Sequence, residues 1–278
     1  MVPRLWSGEV TASSDGRGND RISMTPSFSA DSAIVDEVMP SPNHGERRGI
    51  ARPDMILLHY TGMESAEGAL SRLCAAESEV SAHYFVFEDG RLVQCVPEGR
   101  RAWHAGASSW AGETDINSRS VGIEIVNPGH DFGYPDFTGP QIATVIALCR
   151  DILQRQPIPA IRVLGHSDVA PMRKQDPGEK FPWALLAASG IGHWVTPAPI
   201  TAGTELAMGA EGAEVSELQR ELAQYGYGIA AAGRYDAETA AVVTAFQRHF
   251  RSARVDGIAD LSTRKTLAAL LAARAAAS

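Results

Sequence analysis

The spacing of hydrophobic and polar residues predicts short strands and longer helices in the first two thirds of the chain. Apolar or alternating runs predict strands at residues 55–60, 83–88, 91–96, 120–127 and 161–164. Helices are predicted at residues 65–76 and 139–156. In the second of these, apolar residues recur three and four positions apart until Pro157 ends the pattern. Hairpin strands combined with covering helices predict an α/β domain.

We place this domain at residues 49–189. The segments on either side of it have a different composition. Residues 1–48 are rich in Ser, Gly, Pro and charge without a sustained period, which predicts a mostly disordered leader. Residues 190–205 combine Pro and Gly with small residues and predict a linker. The alanine-rich remainder, residues 206–278, predicts a small helical domain. Its helices are expected at residues 213–225, 236–250 and 262–274.

Composition and charge narrow the possible partners. The 278 residues carry a formal net charge of -8, so no basic field indicates binding to nucleic acid. No run of about 18 apolar residues is present, so we expect no membrane span. The three cysteines form no CxxC pair, which argues against a disulfide scaffold or a Cys-rich metal site. Residues 1–22 lack the apolar stretch of a signal peptide.

Three side chains have the chemistry of a catalytic metal site. His59 ends a predicted strand, His166 follows another, and Asp176 lies in a polar loop whose turn is set by Pro177 and Gly178. Two imidazoles and a carboxylate suit zinc, because they leave a fourth position for a water that the ion makes acidic. Histidines at strand ends are more often structural, however, and no HExxH motif is present. Spacing alone therefore leaves both interpretations open.

Six short motifs follow one another between residues 52 and 187. They are Leu58-His-Tyr-Thr61, Ser81-Ala-His-Tyr84, Ala102-Trp-His-Ala-Gly106, Ser120-Val-Gly-Ile-Glu-Ile-Val-Asn127, Gly165-His-Ser-Asp-Val-Ala-Pro171 and Arg173-Lys-Gln-Asp-Pro-Gly178. In this order they resemble the amidase-2 family of N-acetylmuramoyl-L-alanine amidases. The resemblance implies an α/β fold with a mixed β-sheet flanked by helices. It also implies zinc-dependent hydrolysis of the amide bond between N-acetylmuramic acid and L-alanine in peptidoglycan or muropeptides.

The same resemblance assigns roles to five residues. It implies one Zn²⁺ held by His59, His166 and Asp176, a catalytic carboxylate on Glu124 and a catalytic lysine at Lys174. The strand alternation places Glu124 on the face opposite its apolar neighbours, which agrees with that role. Without the resemblance, this glutamate is more simply interpreted as an exposed strand residue in a salt bridge.

Four further residues are predicted to contact substrate. Trp103 and His104 lie in a motif that looks like a groove wall, where Trp103 would pack on a sugar or peptide. A structural role for Trp103 is an equal alternative. Asn117 and Asn127 are predicted to contact the substrate peptide.

The C-terminal residues, from about 209 to 273, resemble a three-helix peptidoglycan-binding domain of the PG-binding-1 type. The resemblance lies in Val215-Ser-Glu-Leu-Gln-Arg-Glu-Leu222, Tyr225-Gly-Tyr227, Gly233-Arg-Tyr-Asp236, Ala245-Phe-Gln-Arg248 and Val255-Asp-Gly-Ile258. Most of these residues are also what a small helical core requires. The resemblance implies a groove for cell-wall glycopeptide.

Two other functional classes compete with an amidase. A non-catalytic peptidoglycan-binding protein would explain the motifs, but recognition proteins commonly lack a metal ligand and this chain has all three. A structural helical protein leaves the motifs of residues 58–178 unexplained. A wall-binding module favours the periplasm or cell envelope over the cytoplasm, although no export signal is visible. The oligomeric state and the preference for muropeptides or intact sacculi stay open.

Overall fold

The computed structural model describes residues 28–277, and its elements follow the predicted α/β order. The strands are β1 (Glu37–Val38), β2 (His44–Glu46), β3 (Met55–Tyr60), β4 (Tyr84–Val86), β5 (Leu92–Gln94), β6 (Arg100–Ala102), β7 (Ser120–Ile125) and β8 (Val163–Gly165). The helices are α1 (Ala66–Cys74), α2 (Ile116–Arg119), α3 (Gly139–Arg155), α4 (His166–Val169), α5 (Trp183–Ala188), α6 (Ala213–Tyr225), α7 (Ala237–Phe250) and α8 (Leu261–Ala277). Short 3₁₀ turns lie at Ala76–Ser78, His130–Phe132 and Ala160–Arg162.

Six strands form a mixed sheet in the order β1-β5-β4-β7-β3-β8, which confirms the predicted fold class. β3 lies between β7 and β8 and is parallel to both, whereas β4 and β5 form an antiparallel hairpin. Because β3 is covered on both faces, its side chains are buried in alternation on two sides. Ile56 and Leu58 pack in the cluster that includes α3, and Met55 and Leu57 pack in a second cluster.

Helix α3 begins where the sequence supplies a cap. The Thr138 hydroxyl accepts a hydrogen bond from the Gln141 backbone N–H at 3.2 Å, and the Gln141 side chain returns toward Thr138. This capping box satisfies backbone donors that the helix itself leaves free. The Gln141 amide also donates to the Val126 carbonyl at 2.8 Å, so the cap fixes α3 against the end of β7.

Residues 28–48 differ from the predicted disordered leader. β1 extends the edge of the sheet beside β5, and β2 pairs with β6. The Asn43 amide donates to the Ala75 and Val80 carbonyls, and Arg47 donates to the carbonyl oxygens of Glu98 and Ser118. Polar side chains bonded to distant backbone hold this segment, which explains why it shows no hydrophobic period. The rest of the predicted leader, residues 1–27, lies outside the described residues.

The C-terminal domain contains the three predicted helices, α6, α7 and α8, and its apolar stripes are buried as expected. The segment predicted as a linker packs on this domain along its length. The His193 ring lies 2.9 Å from the Tyr225 hydroxyl, and the Ala198 N–H donates to Thr266 at 3.0 Å. Trp194 packs against the shared apolar cluster of both domains. The segment between the two domains is therefore held in place by hydrogen bonds and apolar contacts.

Within residues 28–277, the helices are too short or too polar for any of them to cross a membrane.

Candidate metal centre

The three predicted metal ligands meet at the carboxyl ends of the parallel strands β3 and β8. β3 and β8 are parallel neighbours, so the side chain near the end of β3, His59, lies beside the residue that follows β8, His166. Their Nδ1 atoms are 3.0 Å apart, and Asp176 Oδ2 lies 3.1 Å from the first and 3.0 Å from the second. All three side chains are buried. Their donor atoms therefore converge on one point.

The Nε2 atoms of His59 and His166, which face away from Asp176, have hydrogen-bond partners elsewhere. His59 Nε2 lies 3.0 Å from His104 Nδ1, and His166 Nε2 lies 3.0 Å from the Ala105 carbonyl oxygen. A carbonyl only accepts, so His166 carries its proton on Nε2 and its Nδ1 lone pair is free. The Nδ1 atoms that face Asp176 are thus the available ligand atoms.

A chain of hydrogen bonds through His104 and Ser120 places the proton of His59 on its Nε2 atom as well. The Ser120 hydroxyl donates to the Ile116 carbonyl at 2.7 Å, so it accepts from His104 Nε2 at 3.2 Å. His104 Nδ1 is then an acceptor and receives the Nε2–H of His59. Each ring has one tautomer that satisfies the whole chain of bonds. Partners of this kind orient a metal ligand and raise its basicity.

The charge states of the three ligands suit a divalent cation. Burial, together with the neighbouring His166, lowers the pKa of His59 to about 4, so the ring is neutral at pH 7. Burial opposes ionisation of Asp176, but the two imidazoles hold the pKa of this carboxyl below its usual value. Imidazole nitrogens with free lone pairs and a carboxylate are ligands that zinc accepts. Their mutual spacing of about 3 Å is roughly that of ligands 2 Å from one ion.

Close packing against β7 holds the His104 ring in place. A Cβ atom added to Gly122 would lie 2.6 Å from Cγ of His104, closer than any carbon contact allows. We expect Gly122→Ala to lower the free energy of unfolding by about 1–3 kcal/mol, because the ring or the strand must shift. Urea unfolding measures this change.

The matched control for that substitution is Gly45→Ala. Gly45 also lies in a strand, and an added Cβ there meets nothing within 4 Å. Equal urea midpoints for the two variants would show that the space beside His104 is not restrictive.

Glu124 lies beside the ligands because of the strand register. It pairs with His59 across the β3–β7 ladder, so the two side chains leave the sheet on the same face. Its Oε2 atom is buried without a hydrogen-bond partner. Burial raises the pKa of Glu124 and the Asp176 carboxylate raises it further, while Lys174 opposes both. A carboxylate with a free oxygen and a raised pKa is suited to carry a proton.

Glu124, Lys174 and the three ligands line one cavity of about 530 Å³. Lys174 follows α4, where its backbone N–H donates to the Ala170 carbonyl at 2.9 Å, and it precedes Asp176 by two residues. This backbone bond fixes Lys174 at the wall of the cavity that the ligands line.

The structure divides the four predicted substrate contacts into two pairs. Trp103 and His104 line the cavity. Asn117 accepts the backbone N–H groups of His104 and Ala105, at 2.9 and 2.8 Å. Asn127 accepts the Gly129 N–H and donates to the Pro135 carbonyl, both at 2.9 Å. Both asparagines are buried and hold loops in place, and their contact with substrate stays a prediction.

Asp168 is a site residue that the sequence reasoning missed. It is 1% exposed, and its Oδ2 atom accepts the Gly165 N–H at 2.8 Å, which caps α4. This bond is one half of a capping box, and Gly165 has no side chain to supply the other half, so the sequence provides only a weak capping signal here. The remaining partners of Asp168 come from the C-terminal domain, which no local pattern indicates.

Comparison with known proteins gives two family matches. Residues 50–179 match the family described as N-acetylmuramoyl-L-alanine amidase, and residues 211–267 match a putative peptidoglycan binding domain. The N-acetylmuramoyl-L-alanine amidase AmiD of Escherichia coli (strain K12) is 36% identical over 79% of this chain and 83% of its own length. The 1,6-anhydro-N-acetylmuramyl-L-alanine amidase AmpD of Enterobacter cloacae is 32% identical over 54% of this chain and 87% of its own.

Solved structures resemble the chain across both domains. The E. coli AmiD complex with the substrate anhydro-N-acetylmuramic acid-L-Ala-D-gamma-Glu-L-Lys has a TM-score of 0.70 and 33% identity, covering 82% of this chain and 93% of that one. AmpDh3 from Pseudomonas aeruginosa has a TM-score of 0.66 and 31% identity, covering 84% and 94%. The likeness extends over more of the chain than the single-domain match to AmpD.

Proposed function

Because the chain belongs to the N-acetylmuramoyl-L-alanine amidase family, we propose that it uses one zinc ion to hydrolyse the amide bond between N-acetylmuramic acid and L-alanine. The observation that carries this proposal is the convergence of His59, His166 and Asp176, whose donor atoms lie 3.0–3.1 Å from one another. The Nε2 atoms of both imidazoles are bonded elsewhere, which leaves their Nδ1 atoms free to bind the ion.

Muropeptides are the substrate class that the comparisons support. The AmiD structure contains an anhydro-muropeptide substrate, and an AmpDh3 structure contains an anhydromuramic pentapeptide. Both proteins resemble this chain over more than four fifths of its length. We therefore propose peptidoglycan or its muropeptide fragments as the substrate.

The residues around the ligands supply proton transfer and charge stabilisation. Zinc bound there would polarise the substrate carbonyl and make a nearby water more acidic. The Glu124 carboxylate takes a proton from the attacking water and passes it to the departing nitrogen of L-alanine. The Lys174 ammonium stabilises the negative charge that develops on the carbonyl oxygen. Trp103 and His104 form part of the wall against which the substrate is held.

The C-terminal module supports action on the cell wall. Its match to a putative peptidoglycan binding domain leads us to propose that it holds glycopeptide and raises the local concentration of substrate. On the same ground we propose the bacterial cell envelope as the compartment in which the protein acts.

Fragment analysis tests the proposed bond. Purified anhydro-muropeptides and intact sacculi are digested with the full chain, and the products are identified by mass. We expect stem peptides with a free L-alanine amino group and sugars with a free lactyl carboxyl. Products cut at another bond, or no products from either substrate, would contradict the proposal.

A further inference from the structure

The C-terminal module contacts the segment that carries His166. The Asp168 carboxylate lies two residues after this ligand, and two side chains of the C-terminal module bind it. The Tyr227 hydroxyl donates to Oδ1 at 2.8 Å, and His249 Nδ1 lies 2.7 Å from Oδ2. Because Asp168 is almost completely buried, loss of one donor with the packing otherwise unchanged leaves a carboxylate oxygen without its hydrogen bond.

The same carboxylate sets the position of α4. Asp168 Oδ2 also accepts the Gly165 N–H at 2.8 Å, immediately before His166, which is the first residue of this helix. The helix has four residues and therefore little rigidity of its own. Its orientation, and with it the direction of the His166 ring, depends on a carboxylate whose other bonds reach into the second domain.

A second contact reaches the segment that carries Asp176. The Arg248 guanidinium donates to the side-chain oxygen of Gln175 at 2.9 Å and lies 3.5 Å from the Glu179 carboxylate. These two residues flank Asp176. The Asp176 carbonyl in turn accepts the Ser167 N–H at 2.9 Å, which joins the two ligand segments to each other.

Aromatic packing makes this interface rigid. Trp110 of the catalytic domain is 1% exposed and lies edge-on to Tyr225 and Tyr227, with ring centroids 6.1 and 5.0 Å away. The Trp183 ring stacks on His249 at 3.6 Å. The donors to Asp168 are therefore held by the packed core that both domains share.

We propose that the C-terminal module is a positioning element of the metal centre as well as a wall-binding unit. Tyr227 and His249 fix α4 through Asp168, and Arg248 fixes the loop around Asp176. The inference rests on the proposed function, because it concerns the ligands of the proposed zinc ion. Outer partners of metal ligands change metal affinity by about 10–100-fold when they are removed.

Two tyrosines of one turn provide a matched test in the full chain. Tyr227→Phe removes the hydroxyl that donates to Asp168, whereas Tyr225→Phe removes a buried hydroxyl that bonds to His193 instead. We expect Tyr227→Phe to weaken zinc binding several-fold, because Tyr227 acts on His166 through Asp168 and not by direct contact. Competition with a chromophoric chelator measures the change. Tyr225→Phe is expected to bind zinc as the unchanged chain does, even where its thermal stability falls.

Kinetics and a second variant complete the test. At saturating zinc we expect Tyr227→Phe to lower kcat with little change in KM, since the substrate groove is unaltered. Arg248→Gln, at the edge of the interface, is expected to weaken zinc binding several-fold and serves where Tyr227→Phe fails to fold.

The outcomes separate this inference from the proposed function. The positioning role alone would be overturned if the folded variants Tyr227→Phe and Arg248→Gln bind zinc as tightly as the original chain while the original chain cleaves normally. An equal loss of zinc affinity in Tyr225→Phe would also overturn it, because the effect would then follow general destabilisation. An original chain that neither binds zinc nor cleaves muropeptides would overturn the proposed function itself.

Discussion

Replacing Glu124 by Gln is expected to lower kcat for muropeptide hydrolysis by about 10²–10⁴-fold, while zinc stays bound. The amide keeps the size of the side chain but cannot accept the proton of the attacking water. KM should change little, so that kcat and kcat/KM fall together. The fold should tolerate the change, because the Glu124 carboxylate is partly buried and its Oε2 has no hydrogen-bond partner to lose.

Steady-state kinetics and metal analysis of the purified variant check this result. Asp131→Asn is a suitable control. Asp131 lines the same cavity and has no proposed role in the reaction, and its substitution also removes one negative charge. In the original chain, activity should fall at acidic pH as the raised pKa of Glu124 is passed and the base is protonated. Near-normal turnover by Glu124→Gln would remove this residue from the mechanism.

Replacing Asp176 by Ala should reduce hydrolysis to background at one equivalent of zinc. The substitution removes the only carboxylate among the three proposed ligands and leaves two imidazoles to hold a divalent ion. Chelator treatment of the original chain should have the same effect. Activity and bound metal are measured before and after zinc is added back. Zinc should restore the chelated original chain and leave Asp176→Ala inactive; a variant that retains one zinc and full activity would exclude Asp176 as a ligand.

The longer elements of the fold were predictable because burial imposes a period on them. β3, β7 and α3 are buried along most of one or both faces, and the apolar spacing marks each of them. β1 and β2 were not predictable, because they are short and, unlike β4, β5 and β8, contain almost no apolar residues. Side chains such as Asn43 and Arg47 hold that segment through bonds to distant carbonyls, and such bonds leave no periodic signal.

The candidate site was predictable in chemistry and not in geometry. The motif order indicated His59, His166 and Asp176 as ligands, but the meeting of their donor atoms depends on the strand order β7-β3-β8. The sequence indicated His104 as a groove wall, and the structure adds its bond to His59. Asp168 and Tyr227 are 59 residues apart, so their contact depends on how the two domains pack.

The shared seam at Asp168 also limits how such proteins are rearranged. A recombination event that exchanges residues 206–278 for another wall-binding unit removes both donors to Asp168, Tyr227 and His249, together with the packing that buries this carboxylate. The exposed face would also include Trp110. A grafted module therefore has to cover Asp168 and Trp110 and supply hydrogen-bond donors to the carboxylate if α4 is to keep its position.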